Sequence, residues 1–489
     1  MRLDRTYEFA KGLNTATDYN QNISSVQDAS GKSMSGYDNL WTFGNYYLNA
    51  TYAFRKQWYA GVGVSADATS VTGENSRLFY FYPAANLAWK MKGAPFLRNV
   101  SFVSDLTLRA EYSRKGNAMM PPMLGDYYYE GVNFETMGGT VRANIPNRKL
   151  EQEYVDGINA GLDFAIRGRK LAISVDWFRD ETRDMVVRQD LGDSFGTKFR
   201  YVNSGRMVNQ GVEMGINAVA LRRGDFEWLV GATLSHNKAE IKSLGGADES
   251  VLKLTDGAEI ITRVGESPYT FYGLQADGVY ATTAEAETAS LKNYKGLFYG
   301  AGDVRFVDRN NDGVINQDDR VILGDATPDF YGGFSTSFRY KNFTLSARFT
   351  YSYGNEVYNA VRRQGESMKD YVGQTQAVLS AWRFEGQQTD MPRAVYGDPM
   401  DNSCFSSRWI EDGSYLKLKN LTLNYDYPRK LRVFQKIQAY ISADNLVTWT
   451  KYLGYDPEFA YSYEHNMLGV DYGKVPGATT VKVGIRLGF

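Results

Sequence analysis

The stretch Asp308–Asp319 (DRNNDGVINQDD) carries the most explicit chemistry in this 489-residue chain. Asp308, Asn310, Asp312, Asn316 and Asp319 stand at positions 1, 3, 5, 9 and 12 of a calcium-loop spacing, with Gly313 at position 6. Ca²⁺ is a hard cation that takes six to eight oxygens, and side-chain oxygens at this spacing curl inward around such an ion. Val314 would add its backbone carbonyl at position 7, and Ile315 is expected to anchor the loop to a neighbouring wall. Position 12 is Asp rather than the longer Glu, which predicts weaker binding than in a sensor EF-hand. The role would be structural, stiffening a long loop. The plainer alternative is an Asx-rich turn that needs no metal, because Asp, Asn and Gly favour turns for their own reasons.

Little else has the makings of a reactive centre. His236 and His465 are the two imidazoles and lie far apart in sequence, and Cys404 is the single thiol. No H-E-x-x-H or Cys-x-x-Cys motif is present. An enzyme is therefore not expected, and no disulfide can form within the chain. Tyr127, Tyr128, Tyr129, Tyr461 and Tyr463 could stack on sugar faces, but loop packing explains them equally, so they are not counted as site residues.

The elements that must position the acidic loop are strands. At the end of the chain Val481, Val483, Ile485, Leu487 and Phe489 alternate with Lys482, Gly484, Arg486 and Gly488. That is a strand with one apolar and one polar face. The same alternation predicts strands at 46–54, 58–66, 78–89, 106–113, 157–166, 171–178, 211–221, 226–238, 332–340, 343–351, 415–425 and 437–445. A phase break at Asn420 predicts a β-bulge. Residues 1–43 read as polar loop or as an incomplete start of the wall. Short turns such as Arg55–Gln57 and Lys341-Asn342 alternate with long polar segments. A transmembrane barrel shows this asymmetry, with tight turns on one side and extended loops on the other.

Composition agrees. The 36 Tyr, 26 Phe and 8 Trp suit the aromatic girdles of a barrel wall. A net charge of -1 gives no basic surface for nucleic acid. The chain holds no apolar run of the ~18 residues a spanning helix needs. The start, MRLDRTYEFAKG, lacks a secretory leader pattern, so the expectation is a later part of a longer precursor.

Several segments, in order, resemble the SusC/RagA group of TonB-dependent transporters. They are Leu108–Asn117 (LRAEYSRKGN), Asn209–Glu213 (NQGVE), Gly265–Gly273 (GESPYTFYG), Gly324–Gly332 (GDATPDFYG), Ser442–Glu458 (SADNLVTWTKYLGYDPE) and Gly469–Pro476 (GVDYGKVP). The resemblance covers residues 44–489. It implies an outer-membrane importer of oligosaccharides or peptides in Bacteroidetes-type bacteria. It also implies an outside SusD-like lipoprotein lid, energy from TonB–ExbB–ExbD, and contact with lipid and lipopolysaccharide. Such proteins close a barrel of about 22 strands around an N-terminal plug. Roughly 30 residues per strand and loop give this chain ~14–16 strands. The fold expected is thus an all-β, antiparallel transmembrane β-barrel portion without a plug, completed by an N-terminal barrel and plug portion elsewhere. Open sheet edges cannot face lipid. A stand-alone adhesin or carbohydrate-binding sandwich, or a small passive porin, are the alternatives.

Overall fold

The computed structural model describes residues 2–6, 11–13, 31–33, 39–117, 120, 124–134, 137–166, 168, 170–191, 196–429, 433–459 and 467–489. Fourteen strands form one sheet in which every neighbour pair is antiparallel and sequential. They are β1 (Arg2–Thr6), β2 (Asn39–Phe54), β3 (Trp58–Thr69), β4 (Tyr80–Lys90), β5 (Val103–Gly116), β6 (Tyr154–Ile166) and β7 (Leu171–Asp190). Then come β8 (Phe199–Arg223), β9 (Phe226–Leu244), β10 (Phe330–Tyr340), β11 (Phe343–Tyr353), β12 (Tyr415–Asp426), β13 (Lys436–Thr450) and β14 (Thr480–Gly488). Within the stretch read as loop or incomplete wall, Arg2–Thr6 lies alongside β2 as a strand. Among the described residues β14 pairs only with β13, so the sheet is open at both edges.

Connections mostly alternate between short and long, with longer links at 91–102 and 427–435 on the short side. On one side lie tight turns, two of them with non-glycine residues in the left-handed region: Arg55 and Lys56 (φ 50° and 54°) and Lys341 (φ 51°). Short hairpin turns, two residues at 341–342 and three at 55–57, use positive φ because that twist suits the twist of the strands. The other side carries the long segments, above all 245–329, 354–414 and 451–479. The β12–β13 register slips between Leu418 and Asn420, the bulge predicted from the phase break.

The two faces of the wall separate by chemistry. Outward rows run through directly paired residues: Leu106–Phe164–Ile173–Ile216–Ala232–Phe334, and Leu108–Leu162–Val175–Met214–Leu234. Such side chains are well exposed, for example Ile158 at 49% and Val483 at 78%, because lipid and not protein covers them. Towards the tight turns, aromatic pairs collect: Trp58 on Trp89 (centroids 4.7 Å), Trp228 on Phe338 (5.5 Å) and Phe434 on Phe489 (5.1 Å). The opposite face is polar. There Arg109 donates to Asp163 (2.9 and 3.2 Å) and to Asp176 (2.9 Å) across three strands.

The main hydrophobic cores lie in the long segments. Ala258, Ile260, Phe271 and Ala326 from 245–329 pack with Tyr358, Ala360, Phe405 and Trp409 from 354–414 and with Val470 from 451–479. Three outside segments thus share one core. A four-stranded sheet (Glu249–Lys253, Glu259–Arg263, Thr270–Leu274, Arg320–Gly324) stiffens the first. Glu356–Asn359 pairs with Ile410–Asp412 and with Val470–Asp471, tying the other two together.

Candidate functional site

The acidic loop sits in this outer assembly, between the strands Val304–Phe306 and Arg320–Gly324. Its oxygens turn inward onto the loop's own amides. Asp308 accepts from the Asn311 and Gly313 N–H groups (2.7 and 2.9 Å), Asp312 from Val314 (2.8 Å), and Asn310 from Asp312 (3.0 Å). Asn316 accepts from Asp318 (2.6 Å). The fully buried Asp319 closes the ring by accepting from Arg309 (2.8 Å) and Asn316 (2.9 Å). Asn311 and Gly313 take the positive φ values (59° and 81°) that curl the backbone. Each carboxylate oxygen keeps a further lone pair, so amide contacts and a hard cation are compatible. No ready-made cage of three or more Asp, Glu, His or Cys side chains converges among the described residues.

One expectation is corrected here. Ile315 does not anchor the loop to the wall. It is buried against Tyr280, Val304, Phe306 and Met400, a second core within the outer segments. Val314–Ile315 also pairs with Lys292–Asn293 as a parallel two-residue strand. The short helix Thr283–Ala289, held by a Thr282–Glu285 capping box, precedes the loop without flanking it.

An ion pair with its acidic member fully buried helps hold this core together, a feature the sequence reading missed. Asp303, fully buried, accepts two hydrogen bonds from Arg393 (2.8 and 2.9 Å), one from Asn402 (3.0 Å) and one from the Gly300 N–H (2.9 Å). The Arg408 guanidinium stacks over Trp409 (4.7 Å), and burial pulls its pKa down to about 10. Burial also pushes the Cys404 thiol up to about 12, so it stays protonated and is a poor nucleophile. A cleft of about 340 Å³ opens nearby, lined by Asp256, Arg363, Lys369, Asp370 and Tyr472. Of the tyrosines considered, Tyr128 packs on Phe199 and Tyr201 (5.8 and 6.1 Å), and Arg142 lies over Tyr127 (4.4 Å). Burial and the neighbouring Tyr201 and Asp126 raise the Tyr128 pKa. Tyr461, Tyr463 and His465 lie outside the described residues.

The family model described as "TonB dependent receptor-like, beta-barrel" matches residues 2–446. The chain belongs to that family. It is an outer-membrane β-barrel of the receptor type, which sets the sandwich alternative aside, and the family is one of receptors and transporters rather than enzymes. TonB-dependent receptor P3 of Formosa agariphila is 30% identical over 441 residues, covering 86% of this chain and 43% of the relative. The TonB-dependent receptor SusC of Bacteroides thetaiotaomicron is 25% identical over 488 residues, covering 94% and 45%. A solved RagAB peptide transporter superposes with a TM-score of 0.76 at 23% identity, over 96% of this chain and 50% of that one, a likeness of fold. The chain spans about half the length of the curated relatives it matches.

Proposed function

We propose that this chain is the wall and outer-loop portion of an energy-coupled importer of oligosaccharides or peptides. A SusD-like surface lipoprotein would dock on the outer loops, and TonB–ExbB–ExbD would act through a plug outside this chain. The observation that carries the reading is the pairing of two unlike parts. A wall with an apolar outer face and a charged inner face leads up to an outer assembly with its own buried core. The inner face supplies a polar path, with Arg109, Asp163 and Asp176 among its charges. The outer core fixes loops at the mouth of that path, where a lid and a substrate would meet. The test is uptake of labelled oligosaccharides and peptides by cells with and without the gene, before and after the proton-motive force is collapsed. Uptake that needs both the gene and the force is expected; uptake that ignores the force would sink energy coupling and leave a passive pore.

The acidic loop is proposed to hold Ca²⁺ through Asp308, Asn310, Asp312, the Val314 carbonyl, Asn316 and Asp319. The ion would stiffen the outer assembly and take no part in transport chemistry. Calorimetric titration of the purified receptor with Ca²⁺ is expected to show one site that Asp312→Ala abolishes. An unchanged heat signal in the variant would leave the loop as a metal-free Asx turn.

A further inference from the structure

On five neighbouring strands the apolar outward side chains give way within two rows of one another, with His236 already following Leu234. The last are Tyr112 on β5, Ile158 on β6, Trp177 on β7, Val212 on β8 and Leu234 on β9. Counted from the tight turns, the band is about as tall as the 9–11 residues a spanning strand needs. Charge begins directly above it. Arg179 is paired in register with Gln210, and Gln210 with Lys238. The next row runs Arg114, Asp156, Glu181, Val208 and Glu240. Contacts confirm that these side chains share the outward face. Arg114 grips Asp156 (2.8 and 3.0 Å), which also accepts from the Tyr112 hydroxyl (2.9 Å). Arg183 reaches Glu181 (3.0 Å) and Asp156 (3.6 Å), and Arg206 reaches Glu181 (2.6 Å).

Cations outnumber anions on this ledge. Arg114, Arg179, Arg183, Arg206, Lys238 and Lys242 face Asp156, Glu181 and Glu240, with Asp184 at the edge. The Arg183 and Arg206 side chains remain 47% and 51% exposed, so their unused donors point to the surroundings. Between them opens a groove of about 410 Å³, lined also by Tyr154, Asp184, Ser204, Gly205 and Ser243. The Ser204 hydroxyl is buried there without a hydrogen-bond partner among the described residues. On the adjacent strands β2–β4 the outward row Leu48, Val64 and Pro83 is apolar, so the basic ledge is local.

We propose that this ledge is a binding site for a phosphate-bearing glycolipid headgroup of the outer leaflet, with Arg183 and Arg206 as its principal ligands. Arginine suits the task because its planar fork grips phosphate oxygens in pairs. Position decides between ligands. The ledge lies on the lipid side of the wall, at the level where acyl chains give way to headgroups, and not on the inner face that a transported solute would meet. The site follows from the outer-membrane placement and stands whether or not the importer reading holds.

The test uses the whole receptor purified from native outer membranes and placed in lipid nanodiscs. Binding of bis-phosphorylated lipid A, of the same lipid A dephosphorylated, and of inorganic phosphate is measured by native mass spectrometry. Dephosphorylation of the lipid needs no variant and cannot disturb folding. It is expected to weaken binding at least tenfold, and Arg183→Gln with Arg206→Gln together by about thirtyfold, from about one unit of surface attraction per cation. Arg305→Gln, on an outer loop, should leave binding unchanged. Equal retention of both lipids, or an undiminished double variant that still shows the heat-modifiable mobility of a folded barrel, would overturn the proposal. So would inorganic phosphate that displaces the lipid at equal concentration, because the groove would then be a free-anion site.

Discussion

The wall and the outer-loop assembly are built on opposite principles. In the wall, order comes from the antiparallel ladder, and most large apolar side chains are left outside. Tyr46, Leu48, Val62, Phe81, Ile485 and Phe489 are all well exposed. In the outer assembly the ladder is fragmentary, with strands as short as Val470–Asp471, yet Trp409, Tyr358, Phe271, Val304 and Val470 are sealed from solvent. The wall therefore depends on lipid to cover its apolar face. The loops bury theirs as a soluble domain does, with the enclosed Asp303 carboxylate hydrogen-bonded to Arg393. Perturbations should consequently segregate by region.

The largest effect is expected from Trp409→Ala. Removing a fully buried ring whose indole N–H donates to the Cys404 carbonyl (2.8 Å) should cost the outer assembly about 3–5 kcal/mol. Limited proteolysis should then cut the outer loops while the wall keeps its heat-modifiable mobility. Joint loss of both would mean that the two regions fold as one. A step lower in size is Leu162→Arg on the outward face of β6. A cation at mid-wall should cost about 2–4 kcal/mol of membrane stability and leave loop proteolysis unaltered. Asn159→Arg, on the inner face of the same strand, should be tolerated, and denaturant midpoints in detergent or liposomes separate the two.

Calcium removal comes third. With free Ca²⁺ at a hundredfold excess over Kd, the ion would stabilise the outer assembly by about 2.7 kcal/mol. Chelation should speed hydrogen exchange in segments 292–324 and leave β5–β9 as they were. The smallest effect concerns Glu356, an outer-loop carboxyl whose pKa is raised by burial first and by neighbouring Asp325 and Asp329 next. A raised folded-state value means that the folded form holds its proton more tightly than the unfolded one. Stability should thus fall as pH rises from the ordinary carboxyl value through the raised one. Glu356→Gln should flatten that slope and make the loops slightly more stable at neutral pH, as thermal melts followed by loop fluorescence would show.

The same contrast explains what could be read beforehand. A strand of the wall announces itself locally, because lipid on one side and water on the other impose a period of two on each segment. Even the bulge at Asn420 was visible as a break in phase. The outer core had no such signal. Ile260 and Val470 belong to one cluster across more than two hundred residues, and their strands are too short to display a period. Ile315 shows the cost: its burial was foreseen, but its partners Tyr280 and Met400 belong to loops and not to the wall. Arg2–Thr6 was hidden for a related reason, since five residues amid polar sequence do not establish alternation. The acidic loop stands out in the sequence as a turn-forming unit because its Asp, Asn and Gly residues are nearly consecutive. The Asp303–Arg393 pair, ninety residues apart, was not.

The most direct test of the whole reading is the native mass of the protein extracted from outer membranes in mild detergent, with every co-purifying chain identified. The expected result is a membrane-bound receptor in which this sequence is joined to, or accompanied by, a plug-bearing portion and a surface lipoprotein. Recovery of the polypeptide alone, monomeric and lipid-free in the soluble fraction, would contradict it.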